Sequence, residues 1–244
     1  MEENLEATIQ RMKKGKFDLC LVLDGDADRI AAVAPGGEFI SPQKILGLLA
    51  LHLFQDRSMS GGIVKTIVGT NLIDNLSRKL GLKLYETPVG FKYISRLMET
   101  EDILLGGEEA GGMGFKDYIP ERDGSLAGLL LLEMMVYRKS NILKILAQME
   151  KEFGRYYYLR LDLGMRNLGV DIRAFKEIKS LLGKEVVEVK DYDGVKLICQ
   201  DSSWLMFRGS GTEPIMRIYA ESKSLNTSKR LIELGKSMVL GLEK

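Results

Sequence analysis

Histidine occurs once in 244 residues, at His52. That excludes a histidine-built zinc site and argues against a Ser-His-Asp triad. Cysteine occurs twice, at Cys20 and Cys199, far apart in apolar, strand-like runs. The expectation is buried, reduced thiols in a cytoplasmic setting, not a disulfide framework. Net charge is nearly absent, with 35 Lys+Arg against 34 Asp+Glu. No general basic field invites nucleic acid or a membrane, so recognition must come from local sites. Long apolar runs are missing as well. The longest, 45–54, is broken by Gly47 and His52 and is too short to span a bilayer. Residues 1–14 are amphipathic, with three acidic and three basic side chains, and carry no apolar core of a secretion signal.

What the chain does have is apolar content, 45% of residues, enough for a sizeable core and too much for disorder. The length alone fits one or two domains. Periodicity predicts a helix over 2–14, stopped by Gly15, and a buried strand over 17–23. A second strand follows at 30–34, then a turn at Pro35-Gly36-Gly37. Ser41 and Pro42 read as an N-cap and first helical position, opening a helix to about Gln55. Strands at 63–68, 82–86 and 103–105 then alternate with helices at 71–80 and 91–99. Helices at 124–138 and 141–152 follow. This rhythm predicts a mostly parallel βαβ sheet with helices on both faces. Beyond a boundary near Phe153-Gly154 the pattern changes. Strands at 156–163, 186–189, 195–199, 204–207 and 215–220, with helices at 171–182 and 225–242, predict an α+β domain with an antiparallel sheet.

Three loops carry chemistry. In DGDADR, Asp24, Asp26 and Asp28 alternate, so an extended loop can aim three hard oxygen donors at one Mg²⁺ or Ca²⁺. An EF-hand is excluded, because position 6 is Arg29 and position 12 is Pro35. A strand followed by D-x-D also suits a haloacid-dehalogenase-type phosphatase. The second loop, GGEEAGG, places two carboxylates among glycines, where backbone can approach a ligand and carboxylates can accept sugar hydroxyls. The third, RGSGTEP, joins glycines that turn N–H groups inward, hydroxyls at Ser210 and Thr212, and the guanidinium of Arg208. Arg217 follows just beyond, and the group suits a phosphate.

Cation, hydroxyl and phosphate sites in one chain point to a sugar phosphate. Taken in order, DGDADR, TPVGFKYI (87–94), GGEEAGG and RGSGTEP with Arg217 resemble the α-D-phosphohexomutase family of phosphoglucomutases and phosphomannomutases. The resemblance implies a phosphoserine enzyme that interconverts hexose 1-phosphate and 6-phosphate through a bisphosphate. It implies Mg²⁺ held by Asp24, Asp26 and Asp28, with Arg29 catalytic beside the transferring phosphoryl group. Glu108 would bind sugar hydroxyls, with Thr87 and Gly90 bordering the sugar. Arg208, Ser210, Gly211, Thr212 and Arg217 would hold the unreacting phosphate. Residues 1–40 would be the tail of family domain 2, 41–153 domain 3 and 154–244 domain 4.

Two departures stand out. Ala110 replaces the serine usual in GEESGG, removing one hydroxyl contact. No serine here sits in the T-A-S-H-N-P-type loop that carries the phosphoserine, so the chain is expected to be inactive alone. It would need an N-terminal partner chain, or self-associate through its incomplete first domain, where an exposed sheet edge is expected. The alternatives are a non-catalytic sugar-phosphate-binding protein, or a Mg²⁺-dependent phosphatase with Asp24 as nucleophile and Asp26 as acid. Lys65 has no assigned role.

Overall fold

A computed structural model describes residues 2–165, 171–209 and 214–242. The chain divides into two compact units, Met1–Gly154 and Arg155–Lys244.

The first unit opens with helix α1 (Glu6–Lys14), which lays Ile9 and Met12 against Val33. Three short strands follow, β1 (Cys20–Leu23), β2 (Ile30–Val33) and β3 (Phe39–Ile40), in an antiparallel sheet of that order. Only β2 is wholly buried. β1 is half-exposed, with Leu23 at 40%. The expected buried strand over 17–23 is therefore shorter and lies at a sheet edge, because β1 pairs with β2 alone among the described residues. Cys20 shares that exposure and is not the buried thiol the sequence suggested, whereas Cys199 is buried; both are free.

Helix α2 (Pro42–Leu51) starts as its sequence dictates. The Ser41 hydroxyl accepts from the Lys44 N–H, and Pro42 occupies the first turn. The helix is buried nearly all round, with Ile45, Leu48 and Leu49 fully inaccessible. Each such side chain contributes about 1.5–3 kcal/mol by leaving water. The unit continues with β4 (Gly62–Thr66), α3 (Asn71–Leu80), β5 (Leu84–Thr87), α4 (Phe91–Thr100), β6 (Ile103–Gly107), β7 (Met113–Phe115), α5 (Gly124–Tyr137) and α6 (Ile142–Phe153). Thr70, Asp123 and Asn141 cap α3, α5 and α6 through their side chains, and Gly81 ends α3 at φ +69.

The sheet order is β5-β4-β6-β7. β4 runs parallel to both neighbours, and β7 returns antiparallel to β6. The expected parallel sheet thus holds for three strands and ends in a hairpin. The carboxyl ends of β4, β5 and β6 gather at one edge, where open α/β sheets bind ligands.

The second unit is a six-stranded antiparallel sheet, ordered β8 (Tyr157–Gly164), β13 (Ile215–Ser222), β12 (Trp204–Gly209), β11 (Val195–Cys199), β10 (Lys184–Lys190), β9 (Ser180–Leu181). Alternate residues of its strands face one core. Leu159, Leu161 and Leu163 join Leu197, Leu205, Phe207 and Ile218 there, covered by helix α7 (Leu225–Leu242). Gly235 lets α7 approach closely, since a Cβ there would sit 2.8 Å from Ile218.

The helix expected over 171–182 is not formed. Residues Ile172–Glu177 make a 3₁₀ turn, and Ser180–Leu181 pair with Lys184 and Glu185. Leu182 and Gly183 lie at φ +50 and +80, the pattern of a two-residue hairpin turn. Tertiary pairing has overridden helical spacing there.

Candidate functional site

The aspartate loop leaves β1 and enters β2. Its shape is fixed locally: the Ala27 N–H bonds to the Asp24 carbonyl, with Ala27 at φ +60. It is also fixed from outside, because the Gly124 N–H at the start of α5 donates to the Ala27 carbonyl at 3.0 Å. A Cβ on Gly124 would lie 2.9 Å from the backbone of Ala27 and Arg29, so glycine is required for that approach.

The glutamate loop leaves β6 and is joined to the aspartate loop through backbone. Ile30 N–H donates to the Gly111 carbonyl at 3.1 Å, and Arg29 and Gly112 form a β-bridge. Loops that lie some eighty residues apart in sequence are therefore one structure. Thr87 ends β5 buried, its hydroxyl donating to the Pro88 carbonyl at 3.0 Å. Gly90 begins α4 at φ +131, and its N–H reaches the Glu108 carboxylate. Thr87, Gly90 and Glu108, singled out from sequence, thus share the carboxyl edge of the parallel strands.

The side chains pair as follows. Arg29 Nε lies 2.5 Å from Asp24 Oδ2 and 3.6 Å from Asp28 Oδ1. Arg122 places Nη2 2.7 Å from Asp28 Oδ2 and Nη1 3.8 Å from Glu108 Oε2. Arg122 carries no motif, yet it spans the aspartate and glutamate loops. Its signal in the sequence is slight: it stands just before Asp123, the α5 cap, and only the return of β7 brings it back. The Thr66 hydroxyl donates to Glu109 Oε2 at 3.1 Å, tethering the second glutamate to the end of β4. Lys65 beside it is buried and paired with Asp74, with Glu86 at 3.7 Å.

These surroundings set protonation. Burial raises the Glu108 carboxyl to about 7, Glu109 adds to the rise, and Arg122 opposes it. Burial works to raise Asp24 also, but the hydrogen bonds from Arg29 outweigh it and leave Asp24 below its ordinary range. Asp28 is raised by burial, against the pull of Arg122.

Three alternating carboxylates are suitable donors for a hard divalent cation, and Asp28 Oδ1 is buried with no hydrogen-bond partner among the described residues. Yet no three acidic, histidine or cysteine side chains converge on one point among the described residues. Asp24 faces Arg29 instead. The donor chemistry of Asp24, Asp26 and Asp28 fits Mg²⁺.

In the second unit, Arg208 and Arg217 stand directly opposite each other on β12 and β13. Like charges in that register repel unless an anion or carboxylate compensates. Arg208 Nε bonds to Asp193 Oδ1 at 2.9 Å, and Arg217 Nε is buried without a hydrogen-bond partner among the described residues. Ser210, Gly211 and Thr212 lie outside the described residues. Among the described residues no helix is long and apolar enough to cross a membrane.

Comparison with known proteins agrees with the family resemblance carried by the motif order. Residues 41–153 match the family model for phosphoglucomutase/phosphomannomutase alpha/beta/alpha domain III. A phosphoglucomutase/phosphomannomutase of Thermococcus kodakarensis is 32% identical over 235 residues, 96% of this chain and 50% of the relative. A crystal structure from Thermus thermophilus, provisionally named a phosphomannomutase, superposes with a TM-score of 0.85 at 33% identity, over 99% of this chain and 50% of that one. An N-acetylglucosamine-phosphate mutase, described as a member of the α-D-phosphohexomutase superfamily, shares the fold at a TM-score of 0.66 and 19% identity, over 93% and 49%. This chain spans about half the length of the relatives it matches. It belongs to the α-D-phosphohexomutase family.

Proposed function

We propose that the chain is the sugar- and phosphate-binding portion of a Mg²⁺-dependent phosphohexomutase acting between hexose 1-phosphate and hexose 6-phosphate. One observation carries the reading. Arg122 and the Ile30–Gly111 bond join the aspartate loop to Glu108, so a cation-binding loop and a hydroxyl-binding carboxylate form one site. The backbone fixes their spacing before any ligand arrives, which is how an enzyme pre-orients reacting groups.

In this reading Glu108 accepts hydrogen bonds from sugar hydroxyls, and Thr87 and Gly90 wall the sugar. Arg208, Ser210, Gly211, Thr212 and Arg217 grip the phosphate that does not react. Binding energy gained at that remote group serves orientation at the reacting one. Arg29 turns from Asp24 toward the transferring phosphoryl group. Asp24, Asp26 and Asp28 would hold Mg²⁺, which when bound neutralises charge on that group. In this reading a portion carrying the phosphoserine completes the enzyme, and the edge of β1 that is unpaired among the described residues is where it or a second copy would add. The cytoplasm is the expected setting. The phosphatase reading is weaker, because the Asp24 carboxylate is engaged by Arg29 at 2.5 Å.

Arg122→Ala tests the site. The substitution leaves Asp28 and Glu108 without their shared cation. Hydrogen bonds to charged groups are worth about 1.5–3 kcal/mol, so glucose 1-phosphate affinity should fall roughly tenfold or more. Titration calorimetry reads this directly. Equal affinity in the two proteins would remove Arg122 from the site.

A further inference from the structure

A cavity of about 630 Å³ runs along α4 and shares Gly90 and Arg122 with the site described above. Its wall carries three cations, Lys92, Arg96 and Arg122, against two carboxylates, Glu99 and Glu121. Arg122 is committed to Asp28, Glu108 and Glu121. Lys92 and Arg96 are different: neither has an ion pair among the described residues, and Lys92 rests over the Tyr93 ring at 5.0 Å. Four residues apart, the two side chains project from one face of the helix and repel mildly. Ser95 between them donates to the Pro120 carbonyl at 2.5 Å, fixing α4 against the loop that carries Arg122. The first turn of α4 has no side-chain cap.

We propose that this cavity is a second anion subsite, accepting a phosphoryl group that is either free or carried on a sugar. An anion between Lys92 and Arg96 removes their repulsion and gains charge-assisted hydrogen bonds, with Arg fitting a phosphate edge and Lys acting as a point charge. The size suits a sugar phosphate. Arg122 then has two sides, one toward Asp28 and Glu108 and one toward this cavity. The proposal rests on the hexose-phosphate reading only for the sugar-borne source.

The test follows backbone amide shifts by NMR in the full 244-residue chain. Inorganic phosphate, glucose 1-phosphate and glucose 1,6-bisphosphate are titrated separately at constant ionic strength. Wild type is compared with the double reversal Lys92→Glu/Arg96→Glu. Phosphate should shift the Ser95 and Arg96 amides saturably, and the reversal should weaken that response at least tenfold. Shifts at Arg208 and Arg217 should persist, showing that the variant is folded. A bisphosphate that binds the α4 site tenfold more tightly than phosphate identifies the sugar-borne source; equal affinity identifies free phosphate. Absence of shifts at Ser95 and Arg96, or shifts insensitive to the reversal, would overturn the subsite. Phosphate binding at α4 with neither hexose phosphate bound anywhere would keep the subsite and sink the mutase reading.

Discussion

Gly111→Ala should cost about 3 kcal/mol or more and lower the melting temperature by about 6–12 °C. Gly111 lies at φ +107, a conformation L side chains rarely adopt. A Cβ there would sit 2.5 Å from the Ile30 carbonyl oxygen and 3.0 Å from its nitrogen. Both obstacles are backbone, so no rotamer change relieves them. The clash falls where Ile30 N–H bonds to Gly111, the link between the aspartate and glutamate loops. Hexose-phosphate binding should therefore fail along with stability. Gly25→Ala is the control. It lies in the aspartate loop with nothing within 4 Å of its Cβ position, and should change stability little. A Gly111→Ala protein as stable as wild type would mean the loops are not joined in this way.

Glu108→Gln should change how stability depends on pH. The Glu108 carboxyl is raised from 4.5 to about 7, chiefly by burial. A raised folded-state value means the fold holds the proton more tightly than the unfolded chain does. That contribution is complete below about 4.5 and is lost as pH rises through about 7. The loss amounts to about 3 kcal/mol across the interval. Asp56 and Asp201 are lowered instead, and their contributions disappear as pH falls. Burial opposes that lowering, and it is outweighed jointly by Arg138 and His52 at Asp56 and by Lys184 and Ser203 at Asp201. The difference between wild type and Glu108→Gln cancels such background carboxylates. Denaturant unfolding at pH 5 and pH 8 should show the glutamine variant gaining on wild type at the higher pH. The same difference at both would place Glu108 in water.

Local features were readable in the sequence where local chemistry decides them. Ser41 with Pro42, and Gly81, mark helix ends through their own hydrogen bonds and φ angles. DGDADR and GGEEAGG declared carboxylate sites by composition. The order of motifs named a family that comparison supports. What could not be read depends on residues meeting across the fold. Arg122 becomes a site residue only when β7 pairs with β6 and carries the chain back over Asp28. Thr66 gains its role from Glu109, forty-three positions away. The run from 171 to 182 has helical spacing, but Ser180–Leu181 finds hairpin partners just beyond Leu182-Gly183, and pairing prevails. The aspartates taught a different lesson. Their spacing pointed to donors aimed at one cation, and in the fold Arg29 pairs with Asp24 and Arg122 with Asp28.

Phosphoryl transfer is the most direct measure of the central claim. Conversion of glucose 1-phosphate to glucose 6-phosphate, followed by ³¹P NMR with Mg²⁺ present, should be undetectable for these 244 residues alone. It should appear when a phosphoserine-bearing portion is supplied in trans, and vanish again with Asp28→Asn. Robust turnover by the chain alone would contradict the account.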